Sequence, residues 1–277
     1  MSRRHQLSNR ARENAQGDVV AIDGQWQHLF LPIETKNREF HGKLLMGSFA
    51  AEAGFRVVLC EQHELRRLIR RFPRGIYLDK SVVSTKRWFF HDLRAAGHKV
   101  AAWCEEGLVY RNRETYLRQR IAPETFEHVD MFFAWGAAQA RDAATRVPDA
   151  AARIVAAGNP RLDLLRAPFR ALHETAAVKL REQFGRFVLI NTNFSRYNHF
   201  YSPEYQFQRW KKRGKFKTPA DEQYYWDWSA YIGQLFHAFA DMIRNVAGRL
   251  PAMTFMVRPH PSENHERWKG MVAGLPN

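Results

Sequence analysis

Short apolar runs alternate with helical patterns along most of this chain, and this alternation limits the possible folds more than any other feature. The runs occupy residues 26–33, 55–60, 75–78, 98–103, 129–134 and 154–157. Between two of them, Leu65, Leu68, Ile69 and Phe72 recur at the spacing of one helix face. Strands separated by helices predict βαβ units, and successive βαβ units predict a parallel sheet covered by helices. The sequence therefore predicts an α/β fold.

The pattern divides the chain into three parts. Residues 1–20 are polar and basic, and we expect a flexible N-terminus there. Residues 21–168 predict a complete α/β domain. A helix near 171–184 is expected to link this domain to a second α/β unit, which covers residues 186–277.

The second unit contains fewer recognisable elements than the first. Strands are predicted at 187–191 and 253–257, and a helix within 221–250. Residues 194–231 are rich in aromatic and basic side chains without a clear period, which predicts a long loop or insertion. A complete doubly wound domain usually needs about 120–150 residues. We therefore expect the second domain to be truncated at its C-terminus.

The helix predicted over residues 35–54 has an apolar stripe. Phe40, Leu44, Leu45 and Phe49 recur at helical spacing. This stripe predicts the face of the helix that packs against the core.

The charge of the chain indicates an anionic partner. The formal net charge is +15, from 43 lysines and arginines against 28 aspartates and glutamates. Such a balance favours nucleic acid, anionic lipid headgroups, or phosphorylated and acidic sugars, and it does not choose among them. The basic residues could equally form a solvated face.

The cysteine content and the hydropathy pattern point to a cytoplasmic protein. The chain has two cysteines, Cys60 and Cys104, too few for a disulfide framework or a four-cysteine zinc site. No run of about 18 apolar residues occurs, and no apolar segment of a secretory signal follows the basic N-terminus. We expect any contact with the inner membrane to be peripheral.

Ligands of parallel sheets bind beyond the carboxyl ends of the strands, so the residues that directly follow each strand are the candidates for chemistry. Glu105, Glu106 and Gly107 follow the strand predicted at 98–103. Two adjacent carboxylates could supply one general base, and the glycine allows a tight turn. The alternative is a solvated turn at the end of a strand, where acidic residues are common.

The segment 258–263 is the second candidate. Pro259 and Pro261 keep it extended, which would place His260 rigidly. Arg258 can pair with phosphate oxygens, and the histidine can donate a proton near neutral pH. Ser262 and Glu263 complete the segment. The alternative is a proline-stiffened loop that carries an exposed histidine.

The third candidate is the strand-to-helix corner at Gly158, Asn159, Pro160 and Arg161, whose free N–H groups could face a phosphate or an interdomain cleft. It could equally be a structural turn that closes the first domain. Asn191 and Asn193 end a strand and are weaker candidates. Neither a Walker-type phosphate loop nor a GxGxxG fingerprint occurs, and no histidine spacing matches the HExxH zinc motif.

Taken in order, several motifs make the chain resemble the bacterial surface carbohydrate biosynthesis family, whose glycosyltransferases have the two-domain GT-B architecture. Besides Lys36, the segments that carry the resemblance are Leu31–Glu34, Arg38–Phe40, Gly75–Ser81, Glu105–Leu108, Phe133–Gly136, Gly158–Asp163, Asn191–Ser195 and Arg258–Glu263. An acidic-acidic-Gly motif followed by a His-Pro motif is also similar to the pair found in sialyl- and Kdo-transferases that use CMP-activated sugars.

The resemblance implies an α/β protein with two Rossmann-like domains and a role for each motif. Glu106, or Glu105, would be the base that acts on the acceptor hydroxyl. His260 and Pro261 would bind the nucleotide phosphate, and His260 could assist departure of the leaving group. Arg258 would neutralise phosphate or a sugar carboxylate. The resemblance implies a nucleotide-sugar co-substrate and neither a metal nor another cofactor.

The remaining implications concern the partners. The acceptor would be a glycan or a lipid-linked glycan, and the product a capsule, lipopolysaccharide or other surface polysaccharide. The family continues beyond its His-Pro segment to a Ser/Thr-rich donor motif that this sequence does not contain. We therefore expect an incomplete nucleotide site.

Two other functions compete with this hypothesis. The first is transfer of a polyol phosphate from a CDP-activated donor, by an enzyme of the same architecture. The second is a non-catalytic, basic binding or scaffold protein. A nucleic-acid-binding protein would leave the Glu-Glu-Gly and His-Pro segments without a role, so we expect no nucleic-acid partner.

Overall fold

The structure is a computed structural model that describes residues 27–110 and 112–277. The flexible terminus predicted for residues 1–20 and the start of the first predicted strand at Trp26 lie outside the described residues. The chain divides into two compact units between Ala171 and Leu172.

The first unit alternates strands and helices. Its strands are β1 (His28–Ile33), β2 (Arg56–Glu61), β3 (Gly75–Asp79), β4 (Lys99–Trp103), β5 (Met131–Ala134) and β6 (Ile154–Ala156). Its helices are α1 (Lys36–Glu52), α2 (Gln62–Leu68), α3 (Arg87–Ala95), α4 (Arg113–Arg120), α5 (Pro123–Phe126), α6 (Ala137–Arg146) and α7 (Pro160–Asp163). Short 3₁₀ turns occur at Ile69–Arg71, Ser84–Lys86 and Pro148–Arg153.

Helix α8 (Ala167–Phe184) runs across the boundary into the second unit, as predicted near 171–184. The second unit continues with β7 (Phe187–Asn191), α9 (Pro203–Lys212), α10 (Pro219–Arg249), β8 (Thr254–Arg258) and α11 (His265–Val272).

The six strands of the first unit form one parallel sheet in the order β2-β1-β3-β4-β5-β6. The chain runs outward from β1 to β2 and then returns to place β3 on the other side of β1. The strand order therefore reverses between β1 and β3. This is the doubly wound, Rossmann-like arrangement, in which ligands bind beyond the carboxyl ends of the strands near the reversal. The predicted α/β class is confirmed.

Both faces of the central strands of this sheet are buried. Alternate residues of each strand point to opposite sides, and the two sets belong to two different cores. Phe30, Tyr77 and Phe132 belong to the larger core, which helices α2 to α6 cover. Leu31, Leu78 and other residues of the same strands form a smaller core against helix α1.

The face that α1 turns to the sheet is not the predicted apolar stripe. Leu44 and Phe49 are 46% and 57% exposed, whereas Glu39 and Lys43 are each 1% exposed. Gly42 and Gly47 lie on the buried face. Because neither has a side chain, the helix approaches its neighbours closely, and at Gly47 the neighbour is the sheet. The prediction failed because a buried ion pair and small residues, rather than large apolar ones, fill this contact.

The second unit is built on two parallel strands, β7 and β8, whose ends Asn191 and Arg258 lie side by side. Helices α10 and α11 pack against them through a core that contains Phe236, Ile243 and Trp268. The strands predicted at 187–191 and 253–257 are confirmed, as is the helix within 221–250.

The long loop predicted over residues 194–231 is wrong, because most of this segment is helical. Helix α9 begins after Ser202, whose hydroxyl accepts the N–H of Tyr205. Helix α10 begins after Thr218, which forms a reciprocal capping box with Asp221. In both helices proline occupies the first turn, where its missing N–H costs nothing. Phe207, Phe216 and Tyr225 of this segment pack between the two helices, whereas Phe200 and Tyr224 are exposed.

Candidate functional site

The first candidate site is a cleft of about 530 Å³ at the carboxyl edge of the six-stranded sheet. A cleft of this volume is in the range that holds a small ligand. Side chains from four separate parts of the chain line it, among them Arg38, Glu105, Glu106, Trp135, Arg161 and Leu162. They follow β1, β4, β5 and β6, so the parallel sheet brings together residues that are far apart in sequence.

The two adjacent carboxylates of the predicted Glu-Glu-Gly motif lie in different environments. The Glu105 side chain is 5% exposed and accepts a 2.8 Å hydrogen bond from the Arg161 guanidinium. The Glu106 side chain is 55% exposed and lies 2.7 Å from the Arg120 guanidinium. A carboxylate that is buried and paired is suited to hold structure, whereas an exposed one can reach a ligand. Glu106 is therefore the more accessible of the two carboxylates, and it too is paired with a guanidinium.

Gly107 is the third residue of the motif, and the space beside its Cα leaves no room for a side chain. A Cβ at this position would lie 1.8 Å from the side-chain amide of Gln139. That amide is itself fixed, since Gln139 accepts the backbone N–H of Trp135 at 2.7 Å and donates to the Tyr116 hydroxyl. The Trp135 indole N–H in turn donates to the carbonyl of Cys104 at 2.6 Å. The loop after β5 thus fixes the position of the carboxylates after β4.

The corner after β6 approaches α1 closely. A Cβ on Gly42 of α1 would lie 3.0 Å from Arg161 Cγ and 3.2 Å from its backbone nitrogen. The buried Asn159 caps the single turn of α7 by accepting the Arg161 N–H at 3.0 Å. Gly158 has φ +84°, which a glycine adopts without strain. This arrangement places the Arg161 guanidinium against Glu105.

A buried glutamate organises the loop after β1. Glu39 accepts Lys43 Nζ at 2.8 Å, Arg38 at 2.7 Å and the Glu34 N–H at 3.1 Å. Burial raises the pKa of Glu39, but hydrogen bonds from Lys43 and Arg38 outweigh it and lower this pKa to about 2. The carboxylate therefore stays ionised and holds Arg38 at the edge of the cleft.

The second candidate site lies at the carboxyl ends of β7 and β8 in the second unit. Arg258 Nε donates to Asn191 Oδ1 at 2.8 Å, across the ends of the two strands. Both residues are exposed, and so is Asn193 two positions further on. This pairing holds the guanidinium at the edge where ligands of parallel sheets bind.

His260 follows in the proline-bounded segment, and its ring is oriented by Ser262. The backbone N–H of Ser262 donates to His260 Nδ1 at 3.2 Å, and the Ser262 hydroxyl lies 2.7 Å from the same nitrogen. Because a backbone N–H can only donate, Nδ1 is the acceptor in the neutral ring and the proton resides on Nε2. Ser195 supports the arrangement, with its hydroxyl 2.7 Å from that of Ser262.

Glu263 is the buried centre of this second site. It is 2% exposed and accepts Thr192 Oγ1 at 2.8 Å, Trp268 Nε1 at 2.9 Å and the His260 N–H at 3.1 Å. Burial raises the pKa of Glu263, but the hydrogen bonds of Trp268, Thr192 and the backbone outweigh it and lower the pKa below 4.5. The carboxylate thus ties the loop after β7 to the loop after β8, and it does not face solvent.

The structure sorts the predicted site residues between the two units. Glu105, Glu106 and Arg161 meet in the cleft of the first unit, with Gly158 and Asn159 shaping its corner. The residues that cluster at the ends of β7 and β8 are Asn191, Asn193, Arg258, His260, Pro261, Ser262 and Glu263.

Sequence reasoning missed Gln139 and Arg120, which contact the Glu-Glu-Gly turn from α6 and α4. Each is an isolated polar residue in a helix, and no local pattern marks it. The one signal available in the sequence is the short separation of Trp135 and Gln139 along the chain. A side chain early in a helix can accept a backbone N–H just before that helix.

Among residues 27–110 and 112–277, no group of three or more histidine, cysteine, aspartate or glutamate side chains is placed to hold a metal ion. Within the same ranges no helix combines the length and apolarity needed to cross a bilayer. No protein-family model matches the chain, and a search of curated proteins gives no significant match.

Proposed function

We propose that this chain is a glycosyltransferase of surface polysaccharide biosynthesis that uses a nucleotide-activated sugar, with CMP as the nucleotide. In this proposal the two units correspond to the two Rossmann-like domains of the GT-B architecture. The doubly wound sheet of the first unit and the parallel strand pair of the second support it. The acceptor is a glycan or a lipid-linked glycan.

The observation that carries the proposal is the position of Glu106. It is an exposed carboxylate at the carboxyl edge of a parallel sheet, in a cleft that a buried ion pair and a tightly packed turn keep in shape. In the proposed reaction the Glu106 carboxylate takes the proton of an acceptor hydroxyl. The hydroxyl oxygen forms a bond to the anomeric carbon, while the bond from that carbon to the donor phosphate breaks. The nucleotide leaves with the electron pair of the broken bond.

The second unit supplies groups that suit the donor phosphate. The Nε2–H of His260 is a hydrogen-bond donor whose orientation is fixed through Nδ1. Arg258 adds a permanent positive charge, held in place by Asn191. Donors and cations that are oriented before the reaction stabilise the charge that develops on a leaving phosphate.

The test of the base uses Glu106→Gln, which keeps the size of the side chain and removes its basicity. Loss of a general base typically lowers the rate of transfer by about 10²–10⁴-fold. Glu114→Gln is the matched control, because Glu114 is an exposed glutamate in the next helix. Circular dichroism of both variants checks that the fold is unchanged. Transfer by Glu106→Gln at the rate of the control would remove Glu106 from the mechanism.

The nucleotide is tested separately by incubating the protein with CMP-, UDP- and GDP-activated sugars and with CDP-polyols. The proposal expects release of CMP from a CMP-sugar and formation of a glycosidic bond. Transfer of a polyol phosphate from a CDP-polyol would assign the same site to the competing phosphotransferase reaction.

A further inference from the structure

Helices α9 and α10 form a helical hairpin that projects its turn from the second unit. They are antiparallel, because Tyr225 of α10 donates to the carbonyl of Pro203 at the start of α9, and Glu222 pairs with Lys211 near its end. Phe207 packs against Tyr225 between them, at 5.4 Å between ring centroids. The turn of this hairpin, residues 209–218, is here named the hairpin tip.

The hairpin tip concentrates positive charge. Residues 205–220 contain six lysines and arginines and no aspartate or glutamate. All six are exposed, and among the described residues an ion pair is formed by Lys211 alone, with Glu222 at 2.9 Å. The five cations that form no ion pair with a described carboxylate are Arg209, Lys212, Arg213, Lys215 and Lys217.

Stabilisation of the hairpin explains only part of this charge. Arg209, Lys211 and Lys212 lie in the last turn of α9, where cations offset the helix dipole. Lys215 and Lys217 lie beyond the helix and form no ion pair with a described residue. Five neighbouring like charges repel one another, so their clustering favours a function that uses an anionic partner.

The geometry of the tip selects among anionic partners. Successive helical positions are about 100° apart, so Arg209 and Lys212 share one face of α9, whereas Lys211 lies on another. The three cations of this turn therefore do not all line one groove. The rings nearest the tip are engaged: Trp210 lies 4.5 Å from the Arg196 guanidinium, and Phe216 lies 5.0 Å from the ring of Phe207. Bases of single-stranded nucleic acid bind by stacking on aromatic faces, and a contact within the protein already covers part of each of these rings.

We propose that the hairpin tip binds the surface of a membrane that contains anionic phospholipids. A planar array of headgroups can attract the exposed cations of the tip without requiring that they line one groove. Basic residues near such a surface contribute independently and without fixed partners. The interaction is electrostatic and peripheral. It does not depend on the glycosyltransferase proposal, because it needs neither donor nor acceptor.

The experiment measures binding of the full chain to vesicles by sedimentation. The vesicles are phosphatidylcholine alone and phosphatidylcholine mixed with phosphatidylglycerol. The tip variant is Lys212→Gln, Lys215→Gln and Lys217→Gln combined. Each cation near an anionic surface strengthens binding about fivefold, so the triple variant should bind the anionic vesicles about 100-fold more weakly. Raised salt should weaken binding of the unmodified protein.

The control variant combines Lys179→Gln, Arg186→Gln and Arg249→Gln, which removes three exposed cations of the second unit outside the hairpin tip. It should bind anionic vesicles within a few-fold of the unmodified protein. Equal binding to both kinds of vesicle, or an equal loss in the two triple variants, would overturn the proposal. A short duplex DNA is tested in parallel. Tighter binding of the DNA than of anionic vesicles, lost in the tip variant, would assign the tip to nucleic acid instead.

Discussion

Replacement of Glu263 by glutamine tests whether this carboxylate holds the second site together. The substitution keeps the volume of a side chain that is 2% exposed. If the amide oxygen keeps Thr192 and the His260 N–H, the amide nitrogen then faces the Trp268 indole N–H, which is also a donor. Asn198 donates a weaker hydrogen bond, at 3.4 Å, to the carboxylate oxygen that accepts the Trp268 indole N–H, and this bond is lost too.

The magnitude follows from these two donors. A hydrogen bond to a charged acceptor contributes about 1.5–3 kcal/mol, so the loss of two should lower the free energy of unfolding by about 3 kcal/mol. In urea this corresponds to a midpoint lowered by roughly 1 M or more. Unfolding followed by tryptophan fluorescence measures the shift. Glu266→Gln is the control, because Glu266 is 78% exposed and, among the residues that the structure describes, forms an ion pair with Lys269 alone. Such an exposed pair contributes less than about 1 kcal/mol.

The effect of Glu263→Gln on the free energy of unfolding should depend on pH. The pKa of Glu263 in the folded protein lies below its usual value of 4.5, so the carboxylate stabilises the fold above that pH and ceases to do so as the pH falls through the folded pKa. The difference in stability between the unmodified protein and Glu263→Gln should therefore shrink as the pH falls below 4.5. A midpoint for Glu263→Gln equal to that of Glu266→Gln, or a difference that does not change with pH, would refute this reasoning.

Two further predictions concern the first unit. Gly107→Ala should lower the free energy of unfolding by about 1–3 kcal/mol, because the new Cβ displaces the Gln139 amide and breaks its bonds. Adding Gln139→Ala should cost less than the sum of the two single changes in urea unfolding, and simple additivity would contradict the contact. Lys43→Met should destabilise the protein by about 3 kcal/mol, since it leaves the buried Glu39 carboxylate with one cation fewer. Because the pKa of Glu39 is about 2, the difference from the unmodified protein should fall as the pH drops below 4.5 in acid titration, and a constant difference would contradict this.

The strands and their ends could be predicted from the sequence because each depends on a local pattern. An apolar run such as that before Cys104 marks a buried strand, and the residues after it must then lie at the carboxyl edge of a parallel sheet. The position of Glu105 and Glu106 at such an edge needed no knowledge of distant contacts. Their different environments did, since Arg161 and Arg120 come from other parts of the chain.

The failures have identifiable physical causes. The buried face of α1 was misassigned because hydrophobicity does not reveal that Lys43 and Glu39 neutralise each other inside the protein. Helix α9 and the first turns of α10 were assigned to a loop because aromatic residues on several faces obscure the helical period. The capping residues Ser202 and Thr218, each followed by proline, were present in the sequence and mark both helix starts.

The connection between β7 and β8 has a consequence for biosynthesis. The two strands are neighbours in space, yet residues 192–253 separate them along the chain. To pair two parallel strands across so long a segment, the chain must close a large loop. The entropy cost of closing this loop comes before any stabilising contact forms, so such pairing is slow. During synthesis on the ribosome, β7 cannot pair with β8 until residue 258 has emerged. Strands β1 and β2, in contrast, are separated by a single helix and can pair sooner. During that interval the α9–α10 hairpin can already form, because its contacts are local.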